Sequence, residues 1–69
     1  MNLNGIYVIE NEIRTYTNNR TGDYMIDKGW QSTAGIIAYE IAKETGDTFH
    51  ICVTNAITGE ILRESELAA

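Results

Sequence analysis

The sequence predicts an α+β domain: an antiparallel sheet of about four strands in the order β-β-α-β-β, with one helix packed on one face. Three observations predict it. Ser32–Gly46 repeats its apolar residues at helical spacing, and Thr48–Asn55 alternates with a period of two. Two turn-forming clusters, NNRTGD and NAITGE, each join segments that read as strands.

The first segment, Gly5–Thr17, is rich in β-branched and aromatic residues. Alternation puts Tyr7, Ile9, Asn11, Ile13 and Thr15 on one face, with Asn11 interrupting it, so Glu10–Glu12 is expected to hold a bulge or a tight turn. One long bent strand is the preferred reading, and two short ones stay open. Asn18–Asp23 is a turn by composition, with Gly22 free to take a positive φ. Tyr24–Lys28 returns antiparallel to the first strand, and Gly29 ends it. Trp30, at the corner before the helix, is expected to plug the core between helix and sheet, with an exposed binding anchor as the less favoured reading.

In the helix, stepping about 100° per residue from Ala34 places Ala34, Ile37, Ala38, Ile41 and Ala42 on one stripe. Glu40, Lys43 and Glu44 fall opposite. Ser32 or Thr33 is expected to cap the N-terminus with a side-chain oxygen, and Gly46 to end the helix in the left-handed conformation. A stripe with three alanines is thin and suits a flat sheet lying close against it. Gly35, in the first turn, points to close approach to that sheet or to another chain.

In Thr48–Asn55, Phe49, Ile51 and Val53 are expected to face inward and His50, Cys52 and Thr54 outward. NAITGE reads as a hairpin loop, with Asn55 opening a type I turn and Gly59 at the left-handed position. Glu60–Glu64 completes the hairpin, and Ser65–Ala69 is expected to fray. The second sheet face should carry His50, Cys52, Thr54 and residues of the first hairpin. Such a surface can face water, a second copy or a partner.

With 69 residues the chain makes one domain, residues 1–69. A chain of this size buries only roughly 60% of the surface its unfolded form exposes, so it depends on good packing, a dimer or docking on a partner. Cys52 is the only cysteine and His50 the only histidine. No internal disulfide can form, and a Cys–His zinc site would need ligands from another chain. No metal and no cofactor are expected. The lone cysteine and an N-terminus without a basic leader point to a reducing, cytoplasmic setting. No stretch approaches the roughly 20 apolar residues that span a bilayer.

Ten acidic residues against five basic ones give a net charge of −5. That sign disfavours independent nucleic-acid binding and suits basic partners, including proteins that grip DNA or RNA. Solubility alone also explains it, and that is the simpler reading.

Catalytic signatures are weak. His50 and Cys52 lie two apart on one strand, so both can point to one face. No Asp or Glu stands at a spacing that obviously orients His50, and nothing in a plain strand lowers the thiol pKa. The glycines sit singly or at turns and form no phosphate loop. The chain reads as a binding protein rather than an enzyme, with a Cys–His enzyme ranked last.

Two surface features are candidate partner contacts. On the helix, Ile36 lies at roughly 200° from Ala34. A lone exposed isoleucine needs no explanation. With Tyr39 inside a rim of Glu40, Lys43 and Glu44, it also matches the anatomy of an interface anchor. At the tip of the first hairpin, Arg14, Tyr16, Asn18, Asn19, Arg20 and Tyr24 cluster within eleven positions. A solvated turn is the simpler reading, and a finger projecting into a partner's cleft is the functional one. Glu40, Glu44 and Asp47 with Glu60, Glu64 and Glu66 would form a negative rim if the two surfaces adjoin.

The length, the element order, the helix AGIIAYEIAKETG and the closing hairpin FHICVTNAITGEIL resemble anti-CRISPR proteins, small inhibitors encoded by phages and mobile elements. The resemblance is one of architecture and carries no residue assignments. It implies a non-enzymatic inhibitor that binds a CRISPR effector or another nucleic-acid-handling complex of a bacterial host. The alternative is a small structural or regulatory module that forms a homodimer through its open sheet face.

Overall fold

The protein is represented by a computed structural model, and the residues the structure describes are 11–69. Tyr7, Ile9 and the rest of the first half of the expected Gly5–Thr17 strand lie outside the described residues. The elements are β1 (Glu12–Asn18), β2 (Tyr24–Lys28), α1 (Thr33–Thr45), β3 (Phe49–Asn55) and β4 (Ile61–Leu67). They form one four-stranded antiparallel sheet in the order β2-β1-β3-β4, with the helix on one face.

Register decides what each face carries. Tyr16 lies opposite both Met25 and Ile51, Arg14 opposite Asp27 and Val53, and Asn18 opposite Phe49. These rows face the helix. The core joins Tyr16 and Phe49 to Ala34, Ala38 and Ala42, with Met25, Ile41, Ile51 and Leu67 packed around them. Phe49 and Val53 are buried as the alternation predicts. Ile13 and Thr15, opposite Thr54 and Cys52, belong to the other face.

Helix α1 packs chiefly on β2 and β1. All three of its stripe alanines are buried, whereas Ile37 is 43% exposed because the helix sits near the β2 edge and that side overhangs it. Gly35 lies so close to the sheet that a Cβ there would stand 2.9 Å from Tyr16 Oη. Gly46 has φ 79°, and its N–H donates to Ala42 O at 2.9 Å, closing the helix as expected.

The N-terminal cap differs from expectation. Ser32 holds the cap position without a side-chain hydrogen bond, and Thr33 is already helical. Asp27 of β2 supplies the missing acceptors: Ala34 N–H donates to Oδ1 at 2.8 Å and Gly35 N–H to Oδ2 at 3.1 Å. A carboxylate at this end also meets the positive pole of the helix dipole.

Trp30 does not plug the core; it is 76% exposed. Gly29, at φ 60°, turns the chain outward just before it. The last strand also runs further than expected, to Leu67. Ser65–Leu67 pair with Phe49–Ile51, and Leu67 packs against the core, which holds the segment expected to fray. The hairpin loop forms as predicted: Asn55 Oδ1 accepts from Ile57 N–H and Thr58 N–H, and Gly59 has φ 79°.

Candidate functional site

Of the two candidate patches, the helix patch is assembled on one surface. Ile36 is 60% and Tyr39 47% exposed, on the side of α1 away from the sheet. Residues three and four apart are neighbours on a helix, so Ile36, Tyr39, Glu40 and Lys43 form a continuous patch. Lys43 Nζ lies 5.5 Å from the centre of the Tyr39 ring and 3.6 Å from a Glu40 oxygen. Glu44 is exposed beside them. The result is an aliphatic–aromatic pair with charges at its margin.

The hairpin-tip cluster is divided instead. Tyr16 and Asn18 face the helix and are buried. Burial pushes the Tyr16 hydroxyl above its usual pKa, Arg14 opposing and Asp27 reinforcing that shift. Arg14 Nη2 donates to Gly29 O at 2.8 Å and to Gln31 O at 2.6 Å, tying the corner before α1 to the sheet, while its Nε is buried without a partner among the described residues. Tyr24 stands on the opposite face, in line with Thr17.

Asn18, Arg20 and Asp47 lock the turn to the end of the helix. Arg20 Nε donates to Asp47 Oδ1 at 2.8 Å and Nη2 to Oδ2 at 2.9 Å, and Asn18 Nδ2 donates to Oδ2 at 3.0 Å. The Arg20 hydrogen bond, and then that of Asn18, holds the Asp47 carboxyl well below the usual carboxylate range. Asn18 Oδ1 accepts from Arg20 N–H and Thr21 N–H, shaping the turn itself. Most of the expected finger therefore serves the fold. Asn19 and Arg20 remain at the surface, and both are engaged within the chain.

The expected negative rim is divided for the same reason. Asp47 is buried against Arg20, Glu40 and Glu44 lie on the helix, and Glu64 and Glu66 share the far face of the sheet with Cys52 and His50.

His50 does have acidic partners, contrary to the reading from spacing. β4 brings Glu66 directly opposite His50 and Glu64 opposite Cys52. Nδ1 lies 2.9 Å from Glu66 Oε2 and Nε2 2.8 Å from Glu64 Oε1. Both contacts become hydrogen bonds only when the ring carries two protons. The Glu66 hydrogen bond leads in raising the His50 pKa, and partial desolvation opposes it. His50 in turn leads in lowering Glu66. With each ring nitrogen committed to a carboxylate, neither is directed at Cys52, so the pair lacks the nucleophile–base contact that thiol chemistry needs. Cys52 itself is half-buried.

Among the described residues no group of three or more His, Cys, Asp or Glu is arranged to hold a metal ion, and no helix is long and apolar enough to cross a membrane. Trp30 and Ile37, both read from the sequence chiefly as core residues, also reach the surface and flank a groove of about 570 Å³ between β2 and the start of α1. The exposed glycine-turned corner is the signal that would have found Trp30.

Comparison with protein-family models, with curated proteins and with solved structures finds no match in any of the three. The functional reading rests on this chain's own residues.

Proposed function

We propose that the protein is a non-enzymatic binding protein that docks on a protein partner through the outer face of α1, with Ile36 and Tyr39 as anchors and Glu40, Lys43 and Glu44 as the charged margin. One observation carries this reading: two large apolar side chains stand exposed side by side on the helix, within charges that already pair with each other. The commitment of both His50 nitrogens to carboxylates supports a non-catalytic role.

The narrower form of the proposal is an inhibitor of the anti-CRISPR type, acting on a nucleic-acid-handling complex in the cytoplasm of a bacterial host. The net charge of −5 supports it, because proteins that grip phosphate backbones present basic surfaces. A homodimer stacked through the open sheet face is less favoured. That face carries His50, Glu64 and Glu66, whose burial would remove charged groups from water.

The test is affinity capture from bacterial lysate by the tagged protein and by Ile36→Asp, with the captured proteins identified by mass spectrometry. The proposal expects a stoichiometric nucleic-acid-handling complex with the parent protein and its loss with the folded variant. Equal capture by both would remove the helix patch from the account.

A further inference from the structure

β2 is an outer strand, and among the described residues nothing pairs with its second edge. The bonds at its two ends fix which backbone groups point outward. Asn18 N–H donates to Asp23 O at 2.7 Å, and Gly29 N–H donates to Glu12 O at 2.9 Å. The odd-numbered positions therefore turn towards β1, and in an antiparallel ladder the alternate positions turn away. Tyr24, Ile26 and Lys28 present their N–H and C=O groups to the outside.

The sheet's two edges differ in how they are defended. β4 carries Arg63, Glu64 and Glu66, the kind of charges that discourage edge pairing. Pairing β4 with its own copy would bring glutamates of like charge together. The exposed side chains of β2 are Tyr24 and Ile26, at 65% and 45%, with a single cation, Lys28, at the end. Alongside lies the groove of about 570 Å³ lined by Met25, Asp27, Trp30, Ala34 and Ile37.

We propose that β2 pairs with β2 of a second copy of this chain, antiparallel about a two-fold axis at Ile26, so that the sheet continues across a dimer. This register is self-complementary. Ile26 meets the partner's Ile26, and Tyr24 meets the partner's Lys28, an aromatic–cation pair that occurs twice by symmetry. Every outward N–H and C=O of Tyr24, Ile26 and Lys28 finds its opposite number. The axis runs perpendicular to the sheet, so both helices lie on the same side. Because α1 sits over β2 and β1, its Ile37 side and Trp30 border the seam, and the second copy covers them. The added burial supplies what a 69-residue chain lacks by itself. The patch at Ile36 and Tyr39 stays free, so this inference stands or falls separately from the proposed function.

The test is sedimentation velocity over a range of concentrations with the parent protein and Ile26→Pro, together with oxidation of Ile26→Cys in a Cys52→Ser background. Ile26 N–H lies outside the β1–β2 ladder, so proline removes an edge donor and no internal bond. The proposal expects the parent to reach twice the chain mass and Ile26→Pro to stay at chain mass with an unchanged circular dichroism spectrum. It also expects Ile26→Cys to form an intermolecular disulfide, since Cα atoms about 5.5 Å apart in a hydrogen-bonded pair suit one. A parent protein at chain mass up to its solubility limit overturns the proposal. So does a dimer that survives Ile26→Pro and does not crosslink through position 26. Where Ile26→Pro fails to fold, the crosslink decides: its formation supports the pairing and its absence overturns it.

Discussion

Asp27 joins β2 to α1 with one carboxylate. It is 1% exposed, and its two oxygens accept from the first free N–H groups of the helix. Asp27→Ala removes both acceptors and strands two donors, so it should destabilise the fold by about 1–3 kcal/mol in urea unfolding. Loss of a few tenths or less would mean that water replaces the cap. His50 offers a prediction in pH. Its folded pKa lies above the ordinary 6.5, so its contribution is whole below that value and is lost as pH rises through the folded pKa. Glu66 is lowered from 4.5, so its contribution is whole above 4.5 and is lost as pH falls through the folded value. The link between β3 and β4 is therefore strongest between pH 4.5 and 6.5. The urea midpoint should fall as pH rises above 6.5 through the folded pKa of His50, and His50→Gln should flatten that limb. An unchanged slope in the variant would show that the ring carries no linkage.

At the scale of elements, the seat of α1 on the sheet depends on Gly35 against Tyr16. Gly35→Ala would gain about 1 kcal/mol of helix propensity. However, its Cβ would meet Tyr16 Oη at 2.9 Å. Overpacking of this kind costs about 1–3 kcal/mol, so a net loss is expected in thermal unfolding, partly relieved by adding Tyr16→Phe. A gain in the single variant would show that the helix can lift without penalty. The elements also show what the sequence could and could not tell. The alanine stripe, the alternation of Phe49, Ile51 and Val53, and the turn residues Gly22, Gly46 and Gly59 all act locally, and the fold class and element order follow from them. The fate of Trp30 was not settled by composition, because the backbone direction at Gly29 sets it and the ring stands 76% exposed. The hairpin-tip residues were misread for a similar reason. Composition marks Arg14, Tyr16 and Asn18 as polar or amphipathic, but only strand register reveals that they face the helix. Of the partners of His50, Glu64 ends the stretch read as the closing strand and Glu66 lies in the stretch expected to fray, and only the β3–β4 register sets both beside the ring. The exposure of Ile36 and Tyr39, by contrast, follows from helical angle alone, and these two side chains stand at the surface.

For the molecule as a whole, the sheet leaves three distinct surfaces: the outer face of α1, the β2 edge with its groove, and the open face bearing the His50 cluster. The first combines the exposed apolar anchors Ile36 and Tyr39 with a charged margin whose pairs are made among its own residues. Cys52→Ala should leave partner capture unchanged, whereas a loss of function in a folded Cys52→Ala protein would revive thiol chemistry. Arg20 lies at the surface too, but Arg20→Glu would place a carboxylate against Asp47, so a lower unfolding midpoint is expected before any effect on binding. The measurement that tests the central claim most directly is side-by-side affinity capture by the parent protein, Ile36→Asp and Tyr39→Ala, each first shown to be folded. The account predicts a stoichiometric protein partner for the parent, weakened at least about tenfold by either substitution, as loss of an anchor worth 1.4 kcal/mol or more requires. Undiminished capture by both variants would contradict it and remove the helix face as the docking surface.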